Sequence, residues 1–85
     1  VRALNECFSR FDQIAAAHGV ERLKTLGDGY LCAAGLSGEA PQPAVNIIRA
    51  AVEMRDFIRG RQHAGQPGWD VRIGIHCGPL VAGVV

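Results

Sequence analysis

The chain lacks any uninterrupted apolar run near the ~20 residues that a membrane-crossing helix needs, and no charged-then-apolar leader marks its start. It has no C-x-x-C pair. Cys7, Cys32 and Cys77 are odd in number and far apart, which argues against a zinc site or a dithiol redox motif. Reduced thiols in a cytosolic compartment are the simplest expectation. Neither charge dominates: the net value is +1, so there is no basic footprint for nucleic acid and no acidic tail. The patterns G-x-x-x-x-G-K-S/T and G-x-G-x-x-G do not occur, which removes the two common glycine cradles for phosphate. No internal repeat or low-complexity segment is visible.

What remains is a small globular profile. The 85 residues are 48% hydrophobic and 20% charged, enough for one small domain at most. The chain begins at Val1, without an initiator Met and already inside a helical pattern, and it ends at Val85 inside an apolar run. Both ends are therefore expected to be internal to a longer protein, and a membrane anchor outside this window is compatible with a cytoplasmic domain.

From Val1 to about His18, the apolar positions Leu4, Cys7, Phe8, Phe11, Ile14 and Ala15 recur in steps of three and four, the signature of a helix stripe. Gly19 suits the left-handed position that ends such a helix. VERLKTL and YLCAAGL, separated by Gly-Asp-Gly, read as a β-hairpin. Alternation in the first run is imperfect. The second is nearly continuously apolar over Tyr30 to Ala34, which predicts a strand buried on both faces. After the loop SGEAPQP, a helix is expected from about Ala44 to Gln62, with Pro43 in its first turn. Its apolar face is Ala44, Ile47, Ile48, Ala51, Met54 and Ile58, while Arg49, Glu53, Arg55, Asp56, Arg59 and Arg61 are mainly solvated. HAGQPG is a second loop. WDVRIGIH then alternates as a strand, with Val71, Ile73 and Ile75 on one face and Asp70, Arg72, Gly74 and His76 on the other. Cys77-Gly78-Pro79 turns the chain and LVAGVV opens another strand. This order predicts an α+β fold, a mostly antiparallel sheet with helices on one face.

Single residues carry little chemistry by themselves. Asp28 at the hairpin tip is an ordinary turn residue, because Asp tolerates unusual backbone angles. It is also a carboxylate flanked by glycines, able to approach a metal–phosphate complex closely. Lys24 reads as a solvated strand lysine. Arg72 reads as a solvated strand arginine whose planar fork suits phosphate oxygens. His76 and Cys77 are sequence neighbours that point to opposite faces of an extended chain, so they form no dyad. His18 and His63 sit near helix ends, where they favour the negative end of the dipole.

Three stretches in order carry a more specific signal. LNECFSRFDQIAAAHG, ERLKTLGDGYLCAAGL and VRIGIHCGPLVAGVV together resemble the catalytic domain of class III adenylate/guanylate cyclases, across essentially the whole chain. The second is similar to that family's K-T-(I/L)-G-D hairpin, and the third to its R-(I/V)-G-I-H-x-G motif. The resemblance implies a ferredoxin-like cyclase domain, with residues 1–85 a partial domain truncated at both ends. It implies catalytic roles for Asp28 and Arg72: Asp28 as a metal-binding aspartate, and Arg72 as a contact to the nucleotide phosphates. Lys24 falls at the purine-reading position, where family adenylate cyclases carry Lys and guanylate cyclases typically carry Glu. A Lys donor suits adenine N1, so ATP is the expected substrate. Two Mg²⁺ or Mn²⁺ ions per site and a second cyclase domain, giving a homodimer with shared active sites, are implied in the same way. Asp28 and Arg72 would serve one site, and Lys24 of the same chain the other.

The first metal aspartate, the Asn and Arg that act on the ribose and the transition state, and the second purine-reading residue are expected outside this window. By itself the chain is therefore expected to be inactive. Cys77 stands where the family commonly has Ser or Thr, and Gln-Pro-Ala opens the second helix where many members have Asp-His-Ala. The competing expectations are a guanylate cyclase and a non-catalytic cyclase-like module that binds nucleotide or dimerises.

Overall fold

The computed structural model describes residues 2–36, 41–65 and 70–78. Helix α1 (Arg2–Ala17) leads into an antiparallel hairpin of β1 (Glu21–Leu26) and β2 (Gly29–Ala33), followed by helix α2 (Pro43–His63). The arrangement is α+β. The expected strand LVAGVV and the interiors of the two expected loops lie outside the described residues.

The end of α1 is written in the sequence. Gly19 takes a φ of 69°. Its N–H donates to the Ala16 carbonyl at 3.3 Å, and the Val20 N–H donates to the Ala15 carbonyl at 2.8 Å. These two bonds make a Schellman end, and the apolar contact that accompanies it is present because Val20 and Ala15 are both buried. At the other helix, Pro43 occupies the first turn, where its missing N–H costs nothing. The Asn46 N–H donates to the Gln42 carbonyl at 2.9 Å to start the ladder. Gly65, with a φ of 70°, follows the C-terminal end.

The core lies between the two helices. Cys7, Phe11, Ile14 and Ala15 of α1 meet Ala50, Met54 and Ile58 of α2, with Val20 beneath the helix end. Ile14 is only 2% exposed. Burying a side chain of that size contributes about 1.5–3 kcal/mol. On the hairpin, Tyr30, Cys32 and Ala34 pack against this core.

Three expectations about side-chain burial are corrected. β2 is covered on one face only: Tyr30 and Cys32 face the helices, whereas Leu31 is 45% exposed. The helices lie on a single side of the hairpin, so the apolar run does not imply two covered faces. On α2, Ala50 is buried and Ile48 is exposed, which rotates the apolar face from the one expected. Arg61, expected to be solvated, stacks on the Phe57 ring at 5.9 Å and reaches Glu6 of α1 at 3.4 Å.

The expected strand at Asp70–His76 is not one in this structure. Residues 70–77 have no regular secondary structure, and each is exposed. The alternating pattern is real, but a strand also needs a backbone partner for its N–H and C=O groups. Among the described residues the sheet contains only β1 and β2. No described helix is long and apolar enough to cross a membrane.

Candidate active site

The hairpin turn is built so that Asp28 projects at its tip. Leu26 pairs with Gly29, leaving Gly27 and Asp28 as the two turn residues. Gly27 alone takes a left-handed φ, of 59°. Glycine at the first of the two positions is the arrangement of a type II′ hairpin turn. Asp28 therefore does not supply the unusual backbone angle that would explain an aspartate here. Gly29 allows a close approach, since a Cβ at that position would stand 3.1 Å from the Leu26 carbonyl oxygen. That is tighter than a side chain normally tolerates, so the turn and the start of β2 are drawn together through a glycine.

A groove of about 370 Å³ opens beside this turn. Its floor comes from Phe8 and Phe11 of α1 and from Ala50 and Met54 of α2, and one wall is the turn and β2 from Asp28 to Cys32. Residues 70–75 form the opposite wall. Asp28 and Arg72, far apart in the chain, thus line the same groove. The two are not ion-paired with each other, and among the described residues neither side chain has a hydrogen-bonding or ionic partner. Asp70 also lines the groove, but its Oδ1 accepts a hydrogen bond from Gln62 Nε2 at 2.8 Å.

Lys24 is placed differently. The β1–β2 register shifts between Arg22 and Lys24, so Leu23 is the extra residue of a bulge. Arg22 stands opposite Cys32, while Lys24 stands opposite Leu31. Directly opposed residues share a face. The bulge therefore turns Lys24 away from the helix-facing side that Arg22 occupies. Lys24 does not line the groove of its own chain. The imperfect alternation of this run has its physical cause here.

The donor chemistry of the groove suits a hard divalent cation. Asp28 offers exposed carboxylate oxygens, the ligand type that Mg²⁺ and Mn²⁺ prefer. No set of three or more His, Cys, Asp or Glu side chains able to hold a metal occurs among the described residues. An ion of the Mg²⁺ type takes one or two carboxylates and completes its shell with water and phosphate oxygens, and Asp28 would supply one such carboxylate here.

Sequence reasoning missed a cluster of Tyr30, Asp12 and Arg22 that joins the hairpin to α1. The Tyr30 hydroxyl donates to Asp12 Oδ1 at 2.7 Å, and the Tyr30 ring lies 5.5 Å from both Phe8 and Phe11. Arg22 Nε approaches the same Asp12 oxygen at 3.6 Å. Partial burial, then the hydrogen bond and negative charge of Asp12, push the Tyr30 hydroxyl well above its ordinary pKa. Burial likewise raises the Cys32 thiol. The available signal was chemical: a tyrosine in an apolar strand needs a partner for its hydroxyl, and Asp12 directly follows a core phenylalanine. His18 was expected to serve the helix dipole. It does stand at the C-terminal end of α1, and its Nε2 also lies 2.5 Å from Glu53 Oε2 of α2.

Comparison with known proteins agrees with the motifs. The family model for the adenylate and guanylate cyclase catalytic domain matches residues 1–85. The chain is 39% identical over 88 residues to guanylyl cyclase C of Cavia porcellus, covering 100% of this chain and 8% of that protein. It is 36% identical over 88 residues to the receptor-type guanylate cyclase gcy-5 of Caenorhabditis elegans, covering 100% of this chain and 8% of that protein. It is 32% identical over 88 residues to the germination-specific adenylate cyclase of Dictyostelium discoideum, covering 100% of this chain and 10% of that protein. No solved structure matches. The chain thus spans a tenth or less of the length of these relatives. With the family model covering every residue from Val1 to Val85, the chain belongs to the adenylate and guanylate cyclase catalytic domain family.

Proposed function

We propose that the protein carrying this chain converts ATP to 3′,5′-cyclic AMP and pyrophosphate, in the cytoplasm, at sites shared between two cyclase domains of a homodimer. The observation that carries this reading is the groove in which Asp28 and Arg72 stand as opposite charges without partners among the described residues. A structural role would more often leave such groups paired or dispersed on the surface. Here they face a volume within the usual range of small-molecule sites.

When bound, Mg²⁺ or Mn²⁺ supplies positive charge that lowers the pKa of the ribose 3′-hydroxyl and steadies the triphosphate. Asp28 is the residue of this chain that would hold it. Arg72 offers its guanidinium fork to phosphate oxygens and offsets the charge that develops on them. The 3′-hydroxyl gives its proton to solvent as its oxygen attacks the α-phosphorus in line. The bond from that phosphorus to the bridging oxygen breaks, and pyrophosphate leaves. Lys24 donates from Nζ to adenine N1. Because Lys24 faces away from the groove of its own chain, it reads the base in the site of the second copy.

GTP is the second reading, favoured by the guanylate cyclase names of several relatives. One assay separates the two: the full-length protein with Mn²⁺ and either ATP or GTP. Cyclic AMP is the expected product. Replacing Lys24 by Glu is expected to move the ATP-to-GTP preference toward GTP by at least about tenfold, since a site built for one hydrogen-bonding edge rejects the other. An unchanged preference removes the argument for adenine. Absence of either product from the full-length protein favours a non-catalytic cyclase-like module.

A further inference from the structure

We propose that Tyr30 is a positioning residue for Asp28, fixed in place by Asp12 of α1. The inference rests on the reading of Asp28 as a metal-holding carboxylate and names what keeps that carboxylate in position.

Tyr30 is joined to Asp28 through one residue, Gly29. The turn between them is tight, because the Gly29 backbone lies against the Leu26 carbonyl. A displacement of Tyr30 is therefore passed to Asp28 with little slack. Tyr30 is itself held in two ways. Its ring is wedged against Phe8 and Phe11, edge-on to the latter at 80°. Its hydroxyl donates to Asp12 Oδ1 at 2.7 Å, and Arg22 of β1 steadies the same oxygen from 3.6 Å. One carboxylate on α1 thus fastens both strands of the hairpin whose tip carries Asp28. Asp28 has no side-chain anchor of its own among the described residues, so its position depends on the backbone that presents it. Groups behind a metal ligand commonly govern affinity because they fix the ligand's orientation.

The test is Mn²⁺ binding to the full-length protein, followed by loss of the free-ion electron paramagnetic resonance signal, with Mn²⁺ alone as the probe. Tyr30→Phe keeps the ring and removes the hydroxyl, and it is expected to weaken Mn²⁺ binding by about tenfold. Asp12→Ala is expected to do the same, and the double variant to do no more than either. Asp12→Asn, which keeps a carbonyl acceptor, is expected to restore most of the loss. In turnover, the half-saturating Mn²⁺ concentration rises while KM for ATP at saturating Mn²⁺ stays within about twofold of the parent, a split that loss of fold alone does not produce. Mn²⁺ binding by Tyr30→Phe equal to the parent's overturns the proposal, as do losses that simply add in the double variant. A parent that binds no Mn²⁺, or an Asp28→Asn variant that binds as the parent does, overturns the underlying reading of Asp28 as well.

Discussion

Charge is handled in opposite ways on the two sides of this molecule. Around α1 it is paired: His18 meets Glu53, Arg61 meets Glu6, and Asp12 receives both Tyr30 and Arg22. Beside the groove, Asp28 and Arg72 line one volume without engaging each other. Apolar side chains divide in the same way. Ile14 is 2% exposed between the helices, whereas Val71, Ile73 and Ile75 on the groove wall are 38%, 42% and 50% exposed. The helix side is finished as a fold. On the groove side, Asp28 and Arg72 keep their charge exposed, and Val71, Ile73 and Ile75 keep much of their apolar surface exposed.

The contrast can be broken where it is sharpest. Asp28→Ala is expected to cut cyclic nucleotide formation in the full-length protein by about 10³-fold or more, the scale at which lost charge stabilisation acts in an active site. The melting temperature should barely move, because among the described residues the side chain has no partner to lose. Near-normal turnover in this variant would contradict the assignment of Asp28 to the site. A large fall in melting temperature would show that the turn needs the aspartate for stability.

A smaller effect is expected from the apolar side of the comparison. Ile14→Ala removes a fully packed side chain and should destabilise by about 2–5 kcal/mol in urea unfolding. Ile48→Ala, on the exposed face of α2, should stay within about 0.5 kcal/mol of the parent. Equal losses at the two positions would mean that Ile48 is covered in the full-length protein.

The smallest effect is expected at the junction of the two regions. The Tyr30 hydroxyl is held neutral by burial and by Asp12, so its folded pKa lies above the unfolded value of about 10. The stabilisation from its neutral form is therefore complete below about pH 10 and is lost only as the pH rises through the higher folded value. A difference titration of phenolate absorbance between the parent and Tyr30→Phe should show a late transition. Asp12→Asn should bring it closer to the ordinary value. A midpoint near 10 in the parent would mean that the hydroxyl is not held as described.

Much of the fold was legible beforehand, and the reasons are local. Gly19 ends α1, Pro43 starts α2, and Gly27 takes the left-handed turn position, each because few other residues fit those backbone demands. The apolar spacing of α1 gave its buried stripe directly. The strand pattern at 70–76 was equally legible and still misled, because alternation records which side chains want cover and says nothing of whether a partner strand is present. Lys24 was legible as a strand residue. Its face was not, because a one-residue bulge at Leu23 reverses every later side chain.

By itself, the sequence determined the two helices, the hairpin, the glycine-flanked aspartate and membership of the cyclase family, because these follow from spacings of a few residues or from long contiguous motifs. The resemblance implied one site for Asp28 and Arg72, but only tertiary structure shows the groove that both line, the hold of Asp12 on Tyr30, and the outward turn of Lys24. Each of these depends on which surfaces meet when distant segments pack, and local backbone preference does not encode that meeting.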